Sequence, residues 1–302
     1  MQIGVTVAQA AAGSNLEGLV SEVRDLEARG FASVWMPNIF GLDAIGALAI
    51  AGRETERVEL GTAVVPTYPR HPFAIAQQAL TAQVACQGRF VLGIGLSHKI
   101  VIENMLGMSY DKPARHMEEY LQVLGPLLEG RPASHSGELY RVNAGLQFPE
   151  VPRVPLIVAA LGPAMLRLAG TFADGTITWM TGPKTLEAHI GPTIREAAKA
   201  AGRPDPRVVA GLPLAITSDP DGARQVASRI FQMYGDLPSY RAMLDREGVG
   251  GPADVSIVGD TATVEAELRR LEQSGVTELN AAVFPSDEGA VKRTLDFLQS
   301  RL

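Results

Sequence analysis

The chain has 302 residues, 46% hydrophobic and 20% charged, with a formal net charge of -6 at pH 7 and a single cysteine, Cys86. That length admits one large barrel or two ordinary domains, the acidic balance excludes a general nucleic-acid binder, and one cysteine excludes a disulfide framework and fits a reducing, cytoplasmic compartment. No run of about 18 uncharged apolar residues is present and Gly13-Ser14-Asn15 breaks the first apolar stretch, so neither a membrane span nor a signal peptide is expected.

In chain order, residues 3–7 predict a first strand. Asn15 then caps a helix with Leu16, Leu19, Val20, Val23 and Leu26 on one face and Gly30 as its stop. Residues 32–36 predict a second strand, closed by Pro37-Asn38, and Asp43 caps the next helix up to Gly52. The stretch 60–65 is apolar and too short for a helix, which makes it a third strand. Pro66, Pro69 and Pro72 then fix an extended loop, and Pro72 opens a helix carrying Phe73, Ile75, Ala79, Leu80 and Val84 at helical spacing. Residues 90–95 predict a fourth strand, followed by Ser97, His98 and Lys99. Beyond Lys99 the pattern loosens until a long helix starts at 110–113 and runs through Met117, Tyr120, Leu124 and Leu128.

Residues 130–154 are too long and too weakly periodic for an ordinary connection, and predict an inserted excursion with a hairpin near 136–142. A strand at 155–159, a helix opened by Gly162-Pro163, a strand at 176–179 and a helix over 184–201 follow. A strand at 208–216 leads to a helix capped by Asp219-Pro220 and ending at Met233, then to a helical insertion over 236–251. Asp260 starts a helix to Gln273, and a last strand and helix cover 276–283 and 288–298. Eight strands in regular alternation with helices predict a (β/α)8 TIM barrel, one domain with insertions near 100–113, 130–154 and 236–257. The alternative is a doubly wound open sheet, supported only by Gly93-Ile94-Gly95, with His98 where a dinucleotide fold wants a small residue.

The histidines at 71, 98, 116, 135 and 189 fit no metal-ligand spacing, so no metal is expected, and no nucleophile elbow or phosphate loop is present. The polar strand ends remain: Asn38, the 64–71 loop, His98-Lys99, Leu161-Gly162-Pro163 and Thr178-Trp179. Together they predict a pocket for a large, flat, partly anionic organic cofactor. Each member has a plainer reading. Asn38 can simply close a turn, His98-Lys99 can be a solvated loop, and Arg70-His71 can anchor the proline-rich loop. Trp179 can pack the mouth, and Gly93 and Gly95 can permit tight packing. The helix start at Gly162-Pro163, with Arg167 one turn along, suits a phosphate.

The motifs Ser33-Val-Trp-Met-Pro-Asn-Ile-Phe-Gly41, Leu60-Gly-Thr-Ala-Val-Val, Arg70-His-Pro72, Leu92-Gly-Ile-Gly95 and Ala173-Asp-Gly175 resemble the luciferase-like flavin and deazaflavin oxidoreductases, over essentially the whole chain. The resemblance is nearest to the actinobacterial branch using the deazaflavin coenzyme F420. It implies a barrel with the coenzyme at its C-terminal mouth, a non-proline cis peptide near Ala63-Val64, and a homodimer through the helices at 44–51 and 73–85. On that reading His98 is the catalytic proton donor. Asn38, Ala63, Val64, Arg70, His71, Gly93, Gly95, Ser97, Lys99, Ala160, Leu161 and Gly162 hold the coenzyme, and Tyr68 and Trp179 line the substrate pocket. One departure bears on direction: many relatives carry Asp-His after the second strand, where this chain has Asn38-Ile39. An oxidation that relies on that base is disfavoured, and a reduction of a small organic substrate with another acid is favoured. The rivals are a flavin mononucleotide (FMN) monooxygenase on the same barrel and a non-catalytic flavin or deazaflavin carrier.

Overall fold

Residues 1–7, 15–148 and 150–302 are described by a computed structural model. Gly13, Ser14 and Pro149 of the segments discussed above lie outside the described residues. Eight parallel strands run in sequence around the molecule: β1 (Gln2–Thr6), β2 (Ser33–Met36), β3 (Glu59–Thr62), β4 (Phe90–Gly95), β5 (Leu156–Ala159), β6 (Gly175–Trp179), β7 (Arg207–Ile216) and β8 (Glu278–Val283). Each pairs with the next, and Gln2 of β1 opposite Glu278 of β8 closes the ring. The fold is therefore the closed (β/α)8 barrel, and the open doubly wound sheet is excluded because no barrel strand is left as an edge.

Local chemistry explains the helices around it. Asn15, Asp43, Asp219 and Asp260 each accept an N–H from three residues ahead, satisfying a donor that the first helical turn leaves free. Pro72 and Pro163 open helices Pro72–Ala85 and Pro163–Phe172, where a missing N–H costs nothing. Helices Ala44–Arg53 and Pro72–Ala85 leave Ile50 and Val84 exposed.

Some boundaries differ from expectation, each for a local reason. The third strand stops at Thr62, because the Ala63–Val64 peptide is cis and pairing resumes only at Val65–Pro66 against Ile94 and Gly95. The residues after Lys99 are ordered: the His98 carbonyl accepts from Val101 and Ile102, seeding a wide helical turn over Val101–Met105. The long helix begins at Pro113, since Lys112 sits at a left-handed φ of 50°. The 130–154 segment carries an antiparallel hairpin, Ala133–Ser136 with Arg141–Ala144. Past Ile216, helices Pro220–Ile230, Gln232–Asp236 and Pro238–Glu247 precede a short strand, Ile257–Gly259, that pairs with Leu214–Ile216. Helix Thr261–Gln273 then leads back to β8. The excursion thus starts soon after β7, earlier than residue 236.

Alternate residues of each strand face inward. Trp35, Val91, Ile157, Ile177 and Val209 form the barrel's inner apolar layer. Beneath it, at the N-terminal end, Glu278 accepts hydrogen bonds from Ser33, from Trp35 Nε1 at 2.7 Å and from Arg207 Nε at 2.8 Å. Arg207 also pairs with Glu59 and lies over the Trp35 ring, 5.3 Å from its centroid. This cluster plugs the bottom of the barrel.

Candidate active site

At the other end the strand termini are small. Ala63, Val64 and Ala159 pack above the inner layer, and Gly95 lies so close that an added Cβ would meet Val64 Cγ2 at 2.7 Å and Ala159 Cβ at 3.2 Å. A Cβ on Gly93 would strike the Thr62 carbonyl, so this glycine is required by the close approach of β3 and β4. Two strands leave the barrel through left-handed residues that are not glycine, Ser97 (φ 61°) after β4 and Met180 (φ 54°) after β6. Such backbone is uncommon and concentrates where a loop must aim a side chain.

Ser97 sets up His98. The Ser97 carbonyl accepts from the Tyr110 hydroxyl at 3.3 Å, and the His98 carbonyl starts the turn beyond it. The His98 ring is half-buried, with Tyr240 edge-on at 5.7 Å, and its nitrogens have no hydrogen-bond partner among the described residues. Burial lowers its pKa from the ordinary 6.5, so the imidazole is neutral at pH 7. From Tyr240 a run of edge-to-face aromatic contacts crosses to Tyr234 (5.3 Å), then Trp179 (5.8 Å), then Phe231 (5.8 Å) and Phe284 (5.9 Å). The post-β7 excursion thereby spans the ends of β4, β6 and β8. The Trp179 Nε1 is buried without a hydrogen-bond partner among the described residues.

The remaining sequence candidates divide into two groups. Around the mouth, Asn38 accepts from Ala44 N through Oδ1 (3.0 Å), which closes the turn into the next helix and leaves its amide nitrogen available. Tyr68 is stacked between His116 (4.0 Å) and Tyr110 (5.1 Å), and its buried hydroxyl has no partner among the described residues. Ala160 is buried, and the Leu161 carbonyl accepts from His189 Nε2 at 2.8 Å. Gly162 is extended (φ -78°), so glycine is not needed for its conformation, and a Cβ there would meet nothing within 4 Å. Open space therefore lies before the helix Pro163–Phe172, whose N-cap makes no side-chain bond.

The second group is already engaged. Arg70 pairs with Asp43, and Lys99 is mostly exposed and lies 3.7 Å from Glu103. His71 caps the Pro72–Ala85 helix through Nδ1 and meets Tyr140 of the hairpin edge-on at 5.6 Å. It lines a groove of about 370 Å³ with Phe73, Arg141 and Asn143. Sequence reasoning did not single out Tyr234, Tyr240, Phe231 or His189 for the site, because none stands at a strand end and each reaches the mouth only through tertiary packing. Among the described residues no group of three or more His, Cys, Asp or Glu is placed to hold a metal, and no helix is long and apolar enough to cross a membrane.

A flat ring with a phosphate tail fits what is present: a glycine- and alanine-lined floor, an unobstructed helix start at Gly162, and aromatic walls. The family model for luciferase-like monooxygenases matches residues 1–278. The 5,10-methylenetetrahydromethanopterin reductase of Archaeoglobus fulgidus is 28% identical over 235 residues, covering 76% of this chain and 70% of the relative. That of Methanopyrus kandleri is 26% identical and covers 89% and 90%. Among solved structures, the coenzyme F420-dependent tetrahydromethanopterin reductase of Methanopyrus kandleri superposes with a TM-score of 0.81 at 22% identity, covering 100% and 98%. The FMN-bound oxygenating constituent of 3,6-diketocamphane monooxygenase from Pseudomonas putida gives 0.78 at 15%, covering 99% and 96%. At these identities the structural matches speak for the fold.

Proposed function

The chain belongs to the luciferase-like monooxygenase family, and from that premise we propose an oxidoreductase that passes a hydride between the deazaflavin coenzyme F420 and a small organic substrate, in the reductive direction. The curated relatives named as methylenetetrahydromethanopterin reductases support the reductive reading, and a solved neighbour named as F420-dependent tetrahydromethanopterin reductase supports the coenzyme. The observation that carries the reading is His98: a half-buried, unpartnered imidazole at the end of β4, on the same mouth as the open helix start at Gly162.

When bound, the coenzyme supplies the two-electron chemistry. The chain's own residues do the rest. Backbone N–H groups at the start of helix Pro163–Phe172 receive the phosphate, with His189 holding the Leu161 carbonyl behind them. Ala63, Val64, Gly93, Gly95 and Ala159 form the floor, whereas Ala160 is packed into the outer core, and Asn38 offers its amide nitrogen to a ring carbonyl. The Trp179–Tyr234–Tyr240 arc restricts water, and His98 delivers the proton. FMN remains the rival cofactor because an FMN-bound monooxygenase shares the fold.

The test combines titration of the apo-protein with both coenzymes and kinetics of His98→Ala. Turnover is expected to drop by roughly 10²–10⁴-fold with coenzyme affinity unchanged. Because a reduction needs the protonated ring, the wild-type rate should rise about tenfold per pH unit on acidification and level off below the ordinary histidine value of 6.5. Tighter binding of FMN overturns the coenzyme assignment, and unchanged turnover in the variant returns His98 to a loop role.

A further inference from the structure

Exposed large apolar side chains are ordinary when scattered and informative when they gather. Here the four most exposed are Phe40 (71%), Ile100 and Met105 (both 59%) and Met233 (58%). All four stand on segments that follow the C-terminal ends of strands: Phe40 after β2, Ile100 and Met105 after β4, Met233 in the post-β7 excursion next to Tyr234. Ile39, Leu106 and Met108 add to the same segments. In a parallel barrel those segments share one rim, and along the chain Met233 adjoins Tyr234 of the aromatic arc and Ile100 lies two residues from His98, which meets Tyr240. Of the cations in the adjoining loops, Arg70, Lys99 and Lys112 face Asp43, Glu103 and Glu138.

We infer that the mouth takes a neutral substrate with a bulky apolar body, which lies along the Phe40–Ile100–Met105–Met233 rim and presents its polar, reducible end toward His98. The inference rests on the reading of the mouth as the coenzyme site and names the substrate class for it. Methionine at two of the four positions suits a surface that adapts to an irregular apolar outline. Uncompensated desolvation of a carboxylate or phosphate on such a rim weighs against an anionic substrate.

The test is binding, so that it stands apart from turnover. Straight-chain methyl ketones of increasing length are titrated calorimetrically into the full-length protein, with and without coenzyme F420. Each added methylene is expected to tighten Kd by about threefold if its surface is buried, and the carboxylate of equal length binds more weakly. The double variant Phe40→Ser, Met105→Ser flattens the length dependence while leaving the coenzyme titration unchanged. A wild-type series without length dependence, or a dependence the double variant retains, overturns the inference. A dimer by light scattering that the double variant dissolves assigns the rim to a second copy and also overturns it. Failure of coenzyme binding with the ketone series intact instead sinks the coenzyme reading and leaves the apolar rim standing.

Discussion

The two ends of the barrel are built from the same strands and solve opposite problems. At the N-terminal end, inward positions carry charge: the Glu278 carboxylate takes hydrogen bonds from Ser33, Trp35 and Arg207, and Arg207 continues to Glu59. At the C-terminal end, inward positions of the same sheet include Ala63, Gly93, Gly95 and Ala159, and the buried donors Trp179 Nε1 and Tyr68 Oη have no partner among the described residues. Burying an ion is tolerable only when its partners are complete, whereas an unmatched donor beside small residues marks a place arranged for something else. Inside the barrel, a hydrogen-bonded charge cluster at one end thus faces small residues and the unmatched Trp179 donor at the other.

The sharpest way to break that distinction is Glu278→Ala. It leaves the Arg207 guanidinium with Glu59 as its remaining ion pair and removes the buried acceptor of Ser33 and Trp35, so unfolding stability should fall by about 3 kcal/mol, read by urea denaturation. Coenzyme affinity of the folded fraction should be unchanged. Normal stability, or weakened coenzyme binding at native-like stability, would show that the plug is not a purely structural end.

Glu119 tests a third place, near the mouth but built on a hydrogen-bonded buried carboxylate like the plug. Its buried carboxylate receives the N–H groups of Glu138, Leu139 and Tyr140 at 2.9 Å each, tying the inserted hairpin to helix Pro113–Leu128. Burial raises its pKa, but these donors and His135 outweigh that and hold it at about 2. The carboxylate therefore stabilises the fold above its unfolded value near 4.5, and this is lost as pH falls toward 2. Neighbouring His116, hydrogen-bonded to Thr67, is pushed by burial to about 4, so stability also declines as pH drops from 6.5 to 4. Hydrogen exchange at residues 133–144 should accelerate in those two successive windows. Glu119→Gln should cost about 1.5–3 kcal/mol, the worth of hydrogen bonds to a charged group, erase the lower window, and move the His116 window to lower pH because the Glu119 charge that raises the His116 pKa is gone. Exchange that is flat from pH 7 to 3 would break this assignment.

What was legible beforehand follows the range of the interactions. Caps and helix openers act within three residues, and Asn15, Asp43, Pro72, Pro163, Asp219 and Asp260 all stand where sequence placed them. Strand ends follow from apolar run lengths, so His98 and Gly162 were found at the mouth. The plug was not legible: Glu59, Arg207 and Glu278 meet only because the sheet closes, and along the chain each reads as an ordinary strand flank. The arc from Trp179 to Tyr240 escaped for the same reason, since Asp219–Met233 looks like a plain barrel helix until Ile257–Gly259 is seen to pair beyond it. A cation's pairing is equally invisible, so Arg70 reads as free for an anionic tail when it faces Asp43.

On the open side, Gly162→Asp should be felt by the ligand and not by the fold. A Cβ is accommodated, because nothing lies within 4 Å, while a carboxylate there opposes a phosphate at the helix start. Charge at a helix terminus is worth up to about 2 kcal/mol in partly buried geometry, so either coenzyme should bind roughly tenfold or more weakly, with melting temperature unmoved. Indifference of both coenzymes would remove the phosphate from that helix.

The smallest effect expected is that of Lys99→Glu, and its smallness is the informative part. Lys99 is mostly exposed and already paired with Glu103 at 3.7 Å, an i,i+4 contact on the rim. Exposed pairs of this kind are worth about 0–1 kcal/mol, so reversing the charge should weaken the long-tailed deazaflavin coenzyme by no more than about fivefold and FMN hardly at all. Solvent-exposed charges are screened over roughly 8 Å at physiological ionic strength and about 3 Å at 1 M, so the difference should vanish in high salt, whereas that of Gly162→Asp should persist in part. A salt-resistant loss of tenfold or more would mean that Lys99 leaves Glu103 and closes over the ligand. The polar rim would then have to be counted with the incomplete, functional end of the barrel, where Trp179 and Tyr68 already stand.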